Sequence, residues 1–167
     1  PHELLLTAEK AWATELGEAV KSCSQSCSDE MMLWLSMAAG RRRDAKHFWA
    51  PYLQSLPETA SIPTTWPASF LAEQLAGTNL LALALAERQQ ISREFEPLAQ
   101  ELQQHDLHFE LDEVLWAVSM FRSRAFTTRV LAGDECPLPS SVGCMVPLLD
   151  LFNHKHDGFH ISRWLSD

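Results

Sequence analysis

Basic charge is scarce in this chain: 13 Lys and Arg stand against 22 Asp and Glu, for a formal net charge of −9. Proteins that grip nucleic acid neutralise phosphates with clustered Lys and Arg. The balance therefore argues against a nucleic-acid partner and suits a cationic one, such as a protein presenting Lys. Paired Cys-x-x-Cys spacing is also lacking. Cys23, Cys27, Cys136 and Cys144 do not match a paired zinc site and are expected as reduced thiols in an intracellular protein. For Cys23 and Cys27, which lie in the Ser-rich stretch 22–28, a metal or disulfide role is a minority reading. No apolar run is long enough to span a membrane. The most apolar stretch, residues 31–39, is bounded by Asp29 and Glu30 on one side and by Arg41, Arg42 and Arg43 on the other. The first residues, Pro1-His2-Glu3-Leu4-Leu5-Leu6, lack an initiator Met, a basic start and a small-residue cleavage site. They read as a chain entered part-way through rather than as a signal peptide. Tyrosine occurs once, at Tyr52, and no internal repeat is visible.

What is present is enough for one globular domain: 167 residues, 46% hydrophobic and 21% charged. Thr7 is placed to cap a helix whose stripe is Ala8, Ala11, Trp12, Leu16, Ala19 and Val20. Ser28 caps a second helix with Asp29 and Glu30 in its first turn. Residues 31–39 are apolar nearly all round, so this helix is expected to be central and buried. Gly40 should end it, with the three arginines as a solvated C-terminal end. Residues 57–67 carry three prolines and read as a surface loop. Thr78 should cap a longer helix carrying Leu80, Leu81, Ala84, Leu85, Arg88, Ile91 and Phe95, kinked or broken at Pro97. Asp112 should cap the last helix, with Val114, Leu115, Val118, Phe121 and Ala125 inward. Residues 133–143 are turn-rich, and residues 144–147 form a short strand candidate. The fold class expected is α+β, mostly α, with short extended pieces near both ends.

The chemistry concentrates in the last third. Ser123-Arg124-Ala125-Phe126 closes a helix, and Val146-Pro147-Leu148-Leu149-Asp150-Leu151-Phe152-Asn153-His154 runs from apolar residues into Asp, Asn and His. Apolar residues that fix a backbone while polar ones gather at its end are how a scaffold presents hydrogen-bonding groups to a ligand. The residues alone leave a second reading open, in which Asp150 and Asn153 cap a turn and His154 is a satisfied core histidine. Likewise Arg124 alone reads as a cation at a helix C-terminus, and Trp49 and Tyr52 as packing residues. His154, Lys155, His156 and His160 have irregular spacing, and no metal is expected there.

The run 146–154 resembles the Pro-Leu-Leu-Asp-Leu-x-Asn-His segment of SET-domain methyltransferases, in particular the Rubisco large-subunit methyltransferase-like class. Further segments resemble that class in the right order. They are Pro1-His2-Glu3-Leu4-Leu5-Leu6-Thr7; Trp49-Ala50-Pro51-Tyr52-Leu53 with Leu56-Pro57, Pro63 and Trp66; Leu75-Ala76-Gly77-Thr78; and Trp116 followed by Ser123-Arg124-Ala125-Phe126. The resemblance implies a partial SET domain over residues 1–167. Residues 8–108 would be a large helical insert and 109–167 the later, truncated part of an incomplete β core. It implies transfer of a methyl group from S-adenosylmethionine to a protein Lys ε-amine. Arg124 would meet the cofactor carboxylate, and Asn153 and His154 would bind the cofactor through backbone and side chain. Asp150 would order the turn. The transfer needs a neutral amine held in line in a dry channel, the activated methyl being the cofactor's contribution.

The class pattern also places a Gly-x-Gly strand before Pro1 and a catalytic Tyr beyond Asp167, so the catalytic residue is not expected within this chain, which is expected to be inactive alone. Two other functions stay open: a non-catalytic helical interaction module derived from such a domain, and a protein-histidine methyltransferase. The expected compartment is cytoplasm or nucleus, or the chloroplast of a plant or alga.

Overall fold

The computed structural model describes residues 4–44, 46–59, 62–127 and 142–151. In chain order the helices are α1 (Ala8–Trp12), α2 (Glu15–Ser22), α3 (Asp29–Arg42), α4 (Ala50–Ser55), α5 (Ala68–Gln74), α6 (Asn79–Leu102) and α7 (Leu111–Arg124). Among the described residues there is no strand. Extended backbone meets only in two isolated antiparallel bridges, Leu6 with Met145 and Phe126 with Cys144. The strand expected at 144–147 is thus reduced to single pairings, because Cys144 and Met145 each turn to a different neighbour. Phe126 and Cys144 exchange N–H···O bonds of 2.9 Å in both directions, and Leu6 and Met145 exchange bonds of 3.0 Å.

Helix α3 is the centre of the core. Ser28 caps it as expected, its hydroxyl accepting from the Met31 N–H at 3.1 Å. Met31, Met32, Leu33, Leu35 and Met37 are fully buried, with Trp34 and Ala38 nearly so. Each such side chain contributes about 1.5–3 kcal/mol when removed from water, which is why this helix has no solvent face over its middle. Helices α1, α4 and α7 pack around it. Gly40 does not end the helix, which runs on to Arg42 with Arg43 as its cap. Its function is close approach: a Cβ there would lie 2.5 Å from Leu53 Cδ1 of α4.

Other expectations are corrected by tertiary packing. The single helix after Thr7 is two helices, because Thr14 acts as a second cap, accepting from the Gly17 N–H at 3.2 Å. The kink sets Gly17 against the Trp12 backbone. Pro97 does not break α6, which is continuous over 24 residues. Burial of Ile91, Phe95, Leu98, Ala99 and Leu102 on both sides of it outweighs the ~3 kcal/mol a mid-helix proline costs. The first half of α6 is less buried than its stripe suggested: Leu80 is 55% and Leu83 63% exposed, since that end projects past the core. Thr78 holds the cap position, but its hydroxyl donates back to Leu75 O. Glu110 rather than Asp112 precedes α7, and its N–H donates to Glu113 Oε2 at 2.9 Å. The arginines ending α3 are not simply solvated. Arg41 stacks on Trp116 at 4.3 Å, and Arg42 lies over Phe109 at 4.9 Å and pairs with Glu113 at 3.3 Å. The proline-rich stretch holds a short 3-10 turn, Pro63–Thr65, whose Thr64 hydroxyl bonds Glu87 of α6.

The Ser-rich turn between α2 and α3 is fastened to α6 by carboxylates. Ser28 N–H donates to Glu94 at 2.7 Å, and Ser24 donates to Glu101 through both N–H and hydroxyl. These bonds hold the exposed Glu101 carboxyl below its ordinary value. Among the described residues Cys23, Cys27 and Cys144 form no disulfide.

A Gly-to-Ala change inside a helix ordinarily stabilises it by about 1 kcal/mol. At Gly17 the sign should reverse, because the new Cβ would meet Trp12 O, C and Cα at 2.3, 2.6 and 2.8 Å. Backbone cannot give way as a side chain can, so Gly17→Ala is expected to cost about 1–3 kcal/mol. A lowered urea midpoint for Gly17→Ala is the expected result. An unchanged or raised midpoint would show that the α1–α2 turn is free to relax.

Candidate functional site

The site begins where the backbone leaves the bridge at Met145. Asp150 N–H reaches back to Val146 O at 3.2 Å and Leu151 N–H to Leu148 O at 3.4 Å, closing a tight turn that ends in the 3-10 segment Leu149–Leu151. Leu148 has φ of 74°, a left-handed conformation that costs an L-residue about 1–2 kcal/mol. Its side chain is 73% exposed, so burial of Leu148 does not offset that cost. The turn instead carries the next polar residue inward: Asp150 is 8% exposed, and its side chain is fully buried.

A buried carboxylate requires partners, because taking a lone charge out of water costs several kcal/mol. Two arrive from distant parts of the chain. Tyr52 of α4 donates its hydroxyl to Asp150 Oδ2 at 2.8 Å. Arg124, the last residue of α7, donates Nη1–H to the Asp150 carbonyl oxygen at 3.0 Å and lies 3.6 Å from Oδ2. Asp150 Oδ1 is buried and has no hydrogen-bond partner among the described residues. Arg124 is held in place by its helix: Ala125 N–H caps the end through Phe121 O at 2.8 Å, and the next residue, Phe126, is fixed by its bridge to Cys144. The two ends of the 124–150 pairing are therefore anchored by the same extended pairing.

Electrostatically the cluster is an ion pair with a neutral phenol on its anionic member. Burial first, and then the hydrogen bond and charge of Asp150, raise the Tyr52 phenol above its ordinary value, with Arg124 opposing. Tyr52 therefore remains a donor, and its phenolate is disfavoured.

The structure brings together Arg124 and Asp150 of the expected site residues. The other two, Asn153 and His154, lie outside the described residues, as do Lys155, His156, His160 and Cys136. Arg124 is more than a cation at a helix end, since it binds Asp150. Tyr52 packs against the core as expected and in addition supplies the hydroxyl that Asp150 needs. No local signal marks that role, because its partner lies 98 residues on. Trp49 packs edge-on against Phe48, with Lys10 near its face. Among the described residues no three His, Cys, Asp or Glu gather to hold a metal, and no helix is long and apolar enough to cross a membrane. An open groove beside Phe121, Ala125 and Phe126 is lined by Glu30 and Arg122 and does not include the Tyr52–Asp150–Arg124 cluster.

The raised Tyr52 phenol makes stability depend on alkaline pH. A group raised in the folded state contributes in full below its unfolded value, about 10, and the contribution is lost as pH climbs above it. Between about pH 9 and 11 the urea midpoint of the wild-type chain should fall more steeply than that of Tyr52→Phe. Cys27, pushed up to about 12 by burial and then by Glu94, acts with the same sign in both proteins and forms a common background. Parallel pH profiles for the two proteins would show that the phenol is not held as described.

No family model matches the chain. It is 33% identical over 130 residues to the [fructose-bisphosphate aldolase]-lysine N-methyltransferase of Arabidopsis thaliana, covering 73% of this chain and 25% of that protein. It is 26% identical over 162 residues to the Rubisco large-subunit N-methyltransferase of Nicotiana tabacum, covering 91% of this chain and 30% of that protein. Among solved structures, Rubisco large-subunit methyltransferase (LSMT) bound to sinefungin and monomethyllysine superposes with a TM-score of 0.74 at 23% identity. That match covers 96% of this chain and 35% of that one. LSMT bound to AdoMet gives 0.73 at 24% identity over 93% and 34%. The fold is therefore part of the LSMT SET-domain structure. The chain is a relative of the Rubisco LSMT-like SET-domain protein methyltransferases and spans about a third of their length.

Proposed function

We propose that this chain is part of an S-adenosylmethionine-dependent protein-lysine N-methyltransferase, with residues 8–108 as its helical insert and 109–167 as the later part of its SET core. The observation that carries this reading is the Arg124–Asp150 pairing, which sets a guanidinium at the turn leading to Asn153 and His154. The Arabidopsis relative is named as a lysine N-methyltransferase and the Nicotiana one as an N-methyltransferase, and a solved neighbour is described as bound to AdoMet.

The residues present fit that cofactor on two counts. Arg124 is 21% exposed and engages Asp150 through Nη1, so the rest of its planar fork can meet a carboxylate. Asp150 Oδ1 is a buried acceptor with no partner among the described residues, suited to a donor. When bound, S-adenosylmethionine supplies the activated methyl group. Arg124 binds its carboxylate, Asp150 fixes Arg124 and the turn, and Asn153 and His154 supply the remaining polar contacts. Residues of this chain hold and orient, and none is required to act as an acid or base.

Calorimetry on the full-length protein encoded by the gene tests the reading. S-adenosylmethionine should bind, and Arg124→Ala should weaken it by about 10- to 100-fold, the loss of a charge-assisted hydrogen bond. Equal affinities would remove Arg124 from the site. With labelled S-adenosylmethionine and a cell extract, label should appear on protein Lys. Label on His would favour the histidine alternative, and no transfer by a protein that folds would favour the helical interaction module. The 167-residue chain alone, spanning about a third of its relatives, is expected to show no transfer in the same assay.

A further inference from the structure

We infer that Tyr52 is a positioning residue that keeps the Arg124 guanidinium available for an anionic ligand by occupying the Asp150 carboxylate from the opposite element. This rests on the methyltransferase reading and names the part that the helical region plays in it. Arginine and carboxylate left to themselves prefer a two-pronged pairing, in which two N–H donors of the fork take two carboxylate oxygens. Such a pairing would take two of the guanidinium's five N–H donors and turn the fork toward Asp150 rather than toward a ligand carboxylate. The observed geometry differs. Oδ2 is taken by the Tyr52 hydroxyl at 2.8 Å, the guanidinium stands off from it at 3.6 Å, and the short Arg124 bond goes to the backbone carbonyl at 3.0 Å. The hydrogen bond to this fully buried carboxylate thus comes from α4, while Arg124 of α7 bonds the backbone carbonyl of the same residue. Phenylalanine at position 52 would keep the ring in the core but leave Oδ2 with Arg124 as its available partner among the described residues. The carboxylate would then turn to pair in two-pronged fashion with Arg124.

The test titrates S-adenosylmethionine and methylthioadenosine, which lacks the carboxylate, into full-length wild type, Tyr52→Phe, Asp150→Asn and the double variant, with melting curves for each. Tyr52→Phe should weaken S-adenosylmethionine about tenfold, leave methylthioadenosine unchanged, and lose its effect in the Asp150→Asn background, where the competing charge is gone. A purely structural role would lower the melting temperature and weaken both ligands together, and that outcome would overturn the inference. Unchanged S-adenosylmethionine affinity in Tyr52→Phe would overturn it as well. If Tyr52→Phe fails to fold, Asp150→Asn decides through the ratio of the two affinities: a weaker hold on the turn lowers both together, but Arg124 keeps its bond to the residue-150 carbonyl, so the preference for S-adenosylmethionine over methylthioadenosine should not fall below that of wild type, and a fall counts against the role. Wild type that binds neither ligand would instead bring down the methyltransferase reading itself, and the positioning role with it.

Discussion

A carboxylate with no exposed side-chain surface is the constraint around which this structure is arranged. Asp150 gains nothing from water, and an uncompensated charge in that place would cost several kcal/mol. Its partners are a phenol near residue 50 and a guanidinium near residue 120, so the chain must return to the same place from three distant segments. The bridges Leu6–Met145 and Phe126–Cys144 make this return possible. They clamp the backbone just before the turn on one side and just after Arg124 on the other. Without that clamp, α7 and the turn at 146–151 would each be free to carry its charge into solvent. The left-handed Leu148 is a local cost tolerated because it aims Asp150 inward.

Local chemistry was legible in the sequence where the deciding partners are near in the chain. Ser28 and Thr7 cap as their side chains allow, since the N–H groups they satisfy lie three residues on. The buried all-round character of α3 follows from an apolar run with no polar face. Legibility failed where tertiary packing decides. Pro97 and Gly40 are local stop signals overridden by buried contacts on either side. The arginines ending α3 read as solvated because their aromatic partners, Phe109 and Trp116, belong to a segment more than sixty residues later. Glu110 displaced Asp112 as the start of α7 because Glu113 reaches back to it.

The site shows the same division. Ordered resemblance to a family, and not periodicity, points to Arg124 and Asp150, and the structure sets the two in contact. From the sequence Tyr52 reads as a packing residue, and its ring does pack. Only its hydroxyl departs from that reading. A single polar atom on an otherwise apolar side chain leaves no trace in hydrophobic patterning, and its acceptor is 98 residues distant.

The helical core and the polar cluster are mechanically one object. Leu53, next to Tyr52 on α4, is buried against the face of α3 where Gly40 has no side chain. How closely α4 approaches α3 therefore sets how far the Tyr52 hydroxyl extends toward Asp150. Hydrogen bonds weaken steeply with distance and angle, whereas an apolar contact relaxes over several tenths of an ångström at modest cost. A displacement of α4 that the core would tolerate is thus felt mainly as a loss of the bond between Tyr52 and Asp150. The tight packing of α3 is what allows the helices against it, α4 with Tyr52 and α7 with Arg124, to hold a polar cluster to hydrogen-bonding tolerance.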